Sequence, residues 1–141
     1  MRNAATSITE KRFEPLTTTT ATRSPRKLAQ VLSIYTIQWQ RSFERIIEWE
    51  RDPALLEDED FEAPTKGVLV LAKTFIAAFE RAGVPGPDVI IPTGDGGLVF
   101  RRRNDQMNQT IHFWPDQTVE QYAIKNGKML LRQTLYGPPS D

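Results

Sequence analysis

Apolar positions recur every three or four residues in the first half of this chain and every two in the second. Leu28, Leu32, Tyr35, Trp39, Phe43 and Ile46 form one stripe, with Arg41, Glu44, Arg45 and Glu48 on other faces. That repeat is an amphipathic helix. Ser24 before Pro25 is a start signal, because serine can cap orphan N–H groups and proline needs no donor in the first turn. Pro53 disfavours helical geometry at Asp52, so the first helix is predicted over 25–51. Trp49 falls off the stripe, beside Arg45 and Glu48, and is assigned with Arg45 to a docking face.

Residues 52–64 hold five carboxylates within Glu57, Asp58, Glu59, Asp60, Phe61 and Glu62, whose repulsion favours an extended, solvated loop. Thr65 can cap a second helix over 66–82 that ends at Gly83. In it Val68, Leu69, Leu71, Ala72, Phe75, Ile76 and Phe79 cover most of the circumference, the pattern of a largely buried helix. Pro85, Gly86 and Pro87 then break the chain, and period-2 alternation takes over. Strands are predicted at 89–92, 98–103, 110–114, 119–124 and 128–135, divided by turn signals at 94–97, 104–105, 115–116 and 126–127. Short turns demand antiparallel neighbours. The expected fold is therefore α+β: two N-terminal helices on one face of an antiparallel meander of four to five strands, spanning 88–135.

Residues 87–100, from Pro87-Asp88-Val89-Ile90-Ile91-Pro92-Thr93 through Gly94-Asp95-Gly96-Gly97 to Leu98-Val99-Phe100, resemble a turn pattern found in small uncharacterised bacterial proteins. In those, a helix leads into P-x-[IV]-x-P-T-x-D-G-G-[IV]-x-[LF] and a β-meander. The likeness covers roughly residues 53–135. It implies a compact α+β domain in a bacterium and brings no activity with it. Such proteins often carry a Glu-Trp pair where Arg101 and Arg102 stand here.

A length of 141 residues, 39% hydrophobic and 26% charged, is that of one soluble domain with one core. The formal net charge is zero but uneven: +4 over residues 1–27, −6 over 28–64, +2 over 65–87 and zero over 88–141. Residues 1–23 are Ser/Thr-rich and basic, with too few apolar residues to bury a face, so a disordered tail is expected there and again at 138–141. The chain has no cysteine, which removes disulfides and thiolate metal sites and fits a reducing cytoplasm. Its longest apolar run, residues 68–72, is far short of the roughly 20 residues of a membrane span. No membrane association and a cytoplasmic location are expected.

Candidate chemistry is sparse. Gly94, Asp95, Gly96 and Gly97 lead into a strand rather than a helix, so they read as a turn and not as a phosphate cradle. His112 is the only histidine; in a strand it reads as a half-exposed surface residue, and without a second His or a Cys it is no zinc site. A hydrolase or transferase built on His112 with Asp95 or an acidic-loop carboxylate lacks a nameable nucleophile. The acidic loop has no EF-hand ligand alternation and reads as solvated or as a contact for a basic partner. No catalytic residue, metal or cofactor is expected.

Two binding readings follow. The first is a non-enzymatic protein-interaction module, a subunit of a small complex or a homo-oligomer, using the long first helix or an open sheet edge. The second is a nucleic-acid-binding or regulatory protein using the basic arm with Arg101, Arg102 and Arg103. A strand sends Arg101 and Arg103 one way and Arg102 the other.

Overall fold

A computed structural model describes residues 25–137; the two expected tails and the Ser24 cap lie outside the described residues. Helix α1 spans Pro25–Arg51, a single 3₁₀ turn follows at Pro53–Leu55, and α2 spans Lys66–Arg81. Five strands complete the order: β1 Val89–Pro92, β2 Leu98–Asn104, β3 Met107–Phe113, β4 Val119–Lys125 and β5 Lys128–Tyr136. They form one antiparallel sheet in the order β1-β2-β3-β4-β5. This is the expected α+β meander.

Both ends of α2 have a local cause. The Thr65 hydroxyl accepts the Val68 N–H at 3.2 Å, capping α2. At the other end Gly83 adopts φ +74°, the Gly83 N–H reaches the Glu80 carbonyl and the Val84 N–H the Phe79 carbonyl. That is a Schellman close, with glycine where a left-handed residue is required. It turns the chain back so that the Val84 carbonyl accepts the Trp39 indole N–H at 2.7 Å, tying α1 to the segment that enters the sheet.

Strand alternation sorts the sheet into two faces. On the helix side Leu98, Phe100, Ile111, Phe113, Val119 and Leu135 join Trp39, Ile46, Ile76 and Phe79 in one core. Aromatic contacts knit the layers: Trp39 stacks on Phe79 with centroids 5.4 Å apart, and Phe75 meets Phe113 edge-on at 5.5 Å. Such pairs add roughly 0.5–1.5 kcal/mol each beyond their burial.

Four details depart from the sequence expectations. The seated row of α1 is Trp39, Ser42, Ile46 and Trp49, whereas Leu32 and Phe43 are each 39% exposed. Trp49 lies with Pro64 and Leu69 where the end of α1 meets the start of α2, so the seated row runs on to Trp49. Trp49, expected on a docking face, is 5% exposed and belongs to the core. β3 begins at Met107 rather than residue 110, because Gln109 and Asn108 pair with Arg102 and Arg103. The acidic segment is exposed but folded, with Asp58 and Phe61 exchanging backbone hydrogen bonds in a tight turn.

The glycine-rich turn is structural. The Gly94 and Gly96 carbonyls accept the Glu62 and Thr65 N–H groups at 2.8 and 3.0 Å, so the β1–β2 turn anchors the loop that leads into α2. Gly94 and Gly96 have φ of +89° and +97°, and a Cβ on Gly97 would lie 2.7 Å from the Phe113 carbonyl oxygen. Asn126 and Gly127, at φ +51° and +77°, make the β4–β5 hairpin turn as a two-residue Asn-Gly loop does.

Candidate interaction surfaces

No described helix covers the second face of the sheet, and its central strands carry a connected cluster. Register places Thr110 opposite Tyr122 and Tyr122 opposite Arg132, with His112 opposite Glu120 in the next row. Glu120 is the hub. One of its oxygens accepts the Trp114 indole N–H at 2.9 Å and the Tyr122 hydroxyl at 2.7 Å, and the other faces the Arg132 guanidinium at 3.4 Å. The Tyr122 bond, then the Trp114 and Arg132 groups, hold the Glu120 carboxyl below the usual carboxylate range against the opposing effect of burial. Burial, followed by that same carboxylate, pushes the Tyr122 phenol up.

His112 stacks on Trp114 with centroids 3.8 Å apart and planes within 8°, and Arg132 lies over the Tyr122 ring. The His112 Nε2 is buried and has no hydrogen-bond partner among the described residues. Burial pulls the imidazole below its ordinary value, with Asp95 and Glu120 acting in the opposite sense. Asp95 is exposed and turned into its own loop, accepting the Thr93 hydroxyl and the Gly97 N–H. His112 and Asp95 thus influence each other through space without a hydrogen bond. The hydroxyl that Asp95 accepts belongs to Thr93 of its own turn, and His112 makes no side-chain hydrogen bond to it.

The three consecutive arginines separate as alternation requires. Arg101 and Arg103 are exposed on the uncovered face; Arg103 donates through Nε to the Asn108 side-chain oxygen at 3.2 Å. Arg102 turns under the helices, donates to the Gln109 side-chain oxygen at 3.0 Å, and is drawn below the usual guanidinium value by burial. The three cations therefore do not make one patch.

Arg45 is exposed, its guanidinium 6.0 Å from the Trp49 ring centroid. With Arg41 and Asp88 it borders a groove of about 350 Å³ between α1 and β1. A second cleft, of about 460 Å³ and lined by Trp49, opens between the end of α1 and the start of α2. The two sheet edges differ. β1 has four residues and ends in Pro92, which discourages strand addition, whereas β5 has nine residues and carries Lys128 and Arg132 along with the exposed Met129, Leu130 and Tyr136.

Residues 57–62 gather no metal-ligand set: among the described residues no group of three or more His, Cys, Asp or Glu is placed to hold an ion. Nor is any described helix long and apolar enough to cross a membrane. The Glu120 cluster escapes sequence reading because its members lie on different strands. Alternation alone places His112 with Trp114 and Glu120 with Tyr122, but only the register of β3 on β4 joins the two pairs.

Compared with protein-family models, with curated proteins and with solved structures, the chain matches none.

Proposed function

We propose that the protein is a non-enzymatic interaction module that docks a partner protein, or a second copy of itself, on the uncovered face of its sheet. The observation that carries this reading is the Glu120 cluster, which fixes Trp114, Tyr122, His112 and Arg132 in one arrangement outside the core. Trp, Tyr and Arg are the residue types that dominate binding energy at interfaces, and side chains already held in place lose less entropy on binding. The exposed Leu32, Ile34, Ile37 and Phe43 of α1 and the β5 edge with Met129 and Leu130 offer secondary contacts. The test is a photo-reactive phenylalanine analogue at Thr110, with Val70 on the exposed side of α2 as the control position. An identified protein cross-linked from 110 and not from 70, and lost in Tyr122→Ala/Arg132→Ala, supports the reading. Equal capture from both positions, or none, removes it.

A second reading, binding of single-stranded nucleic acid, is favoured by Arg101, Arg103 and Arg132 sharing that face with aromatic rings. Backbone neutralisation by arginine and base stacking on aromatic rings are the two parts of such a surface. A salt titration with single-stranded DNA and RNA decides it, and the absence of affinity at low ionic strength eliminates it.

A further inference from the structure

The cleft beside Trp49 has a chemistry that the interaction reading does not use. Its volume, about 460 Å³, falls in the range of small-molecule sites, which are concave and mostly apolar with a few placed polar groups. Ile47, Trp49 and Leu69 line it together with Pro53 and Pro64. The two prolines and the buried Trp49 and Leu69 make a stiff wall, since neither proline ring nor packed indole has rotamer freedom to lose on binding.

Three charged residues complete the lining: Glu50, Arg51 and Lys66. They are not equivalent. Glu50 is already neutralised, its two carboxylate oxygens each 2.8 Å from the Lys73 ammonium. Arg51 and Lys66 are exposed, and neither has an ion-pair partner among the described residues. No other carboxylate lines the cleft, so two cations without an ion-pair partner share its lining with an apolar, aromatic wall.

From this juxtaposition we infer that the cleft binds a small aromatic or branched-apolar acid, with the apolar body against Trp49 and Leu69 and the anionic group between Arg51 and Lys66. Arginine suits a carboxylate because its planar fork can bond both oxygens, and lysine adds a mobile second charge. A neutral ligand of the same shape leaves both cations unanswered. A cationic ligand is repelled. The site lies on the loop side of α1 and α2, so its occupation is independent of whether the sheet face binds a partner.

The experiment uses the full chain and two probes of equal shape, 1-naphthaleneacetate and its neutral amide, with the indole N–H signal of Trp49 followed by NMR and assigned by its loss in Trp49→Phe. The acid is expected to shift that signal saturably and to bind at least about tenfold more tightly than the amide, the worth of one charge-assisted contact. In Arg51→Gln/Lys66→Gln, two exposed positions whose replacement leaves the core intact, the acid falls to the affinity of the amide, which itself is unchanged. An unshifted Trp49 signal, equal affinity for acid and amide, or an acid preference that survives in the double variant each overturns the inference.

Discussion

The two faces of the sheet are built from the same five strands and are held by different forces. Under the helices, Phe100, Phe113 and Ile111 are 2%, 0% and 5% exposed, and burial of apolar area stabilises them at roughly 25 cal/mol per Å². On the other side, alternate residues of the same strands, Thr110, His112, Glu120 and Tyr122, are half-buried; His112 is held by stacking on Trp114, and Tyr122 by a hydrogen bond to the Glu120 carboxylate. The covered face tolerates little change in shape because it is close-packed. The uncovered face keeps its arrangement only as long as Glu120 keeps its partners. Polar groups interrupt the covered side twice: Arg102 and Gln109 hydrogen-bond each other, whereas Gln121 is 1% exposed and neither its amide nitrogen nor its carbonyl oxygen has a partner among the described residues.

The largest expected contrast comes from truncating a residue on each side. Phe113→Ala should lower unfolding free energy by about 3–5 kcal/mol, the cost of a large ring removed from a packed site. Thr110→Ala on the opposite face should stay within about 0.5 kcal/mol. Urea unfolding of the two variants measures both, and comparable losses would mean that the second face is also covered.

Next in size is a change of opposite sign. Gln121→Leu replaces an unpartnered buried amide by an apolar group of similar volume and should stabilise the fold by about 1–2 kcal/mol. A loss of stability instead would reveal a partner for the amide outside the described residues.

Glu120→Gln tests the hub. Removing its charge should cost about 1 kcal/mol, since the Arg132 contact is long and exposed and contributes little of the total. It should also bring the Tyr122 phenol down toward its ordinary value, because the carboxylate is one of the causes that raise it. Phenolate absorbance in a pH titration reads that shift directly.

The smallest effect is the pH dependence of His112, whose pKa in the folded protein lies below the ordinary 6.5. Above that value both folded and unfolded imidazole are neutral, and the group adds no pH dependence. As pH falls below it the unfolded chain takes up the proton while the folded one resists, so stability declines until the folded pKa is reached and then levels off. The slope from this group cannot exceed about 1.4 kcal/mol per pH unit. His112→Phe keeps a ring against Trp114 and should flatten that part of the profile.

Element types and their order follow from the local pattern of residues. Periodicity distinguishes helix from strand over stretches as short as α2 and β2, and turn residues such as Gly83, Gly96 and the Asn126–Gly127 pair carry backbone demands that few other residues meet. The same pattern parts Arg102 from Arg101 and Arg103, because side-chain direction along a strand is local geometry. Which face of each element is covered, and which side chains from distant segments meet, depends on the packed fold. Trp49 could not be assigned to the core from its own helix, since its burial depends on where α1 crosses its neighbours. Glu120 could not be seen as a hub until the register brought Trp114, Tyr122 and Arg132 to one carboxylate. The cleft between Arg51 and Lys66 exists only because a loop of 14 residues, 52–65, returns the chain to the end of the helix it left. Contacts of that kind depend on the closure of the whole chain, and no local pattern encodes them.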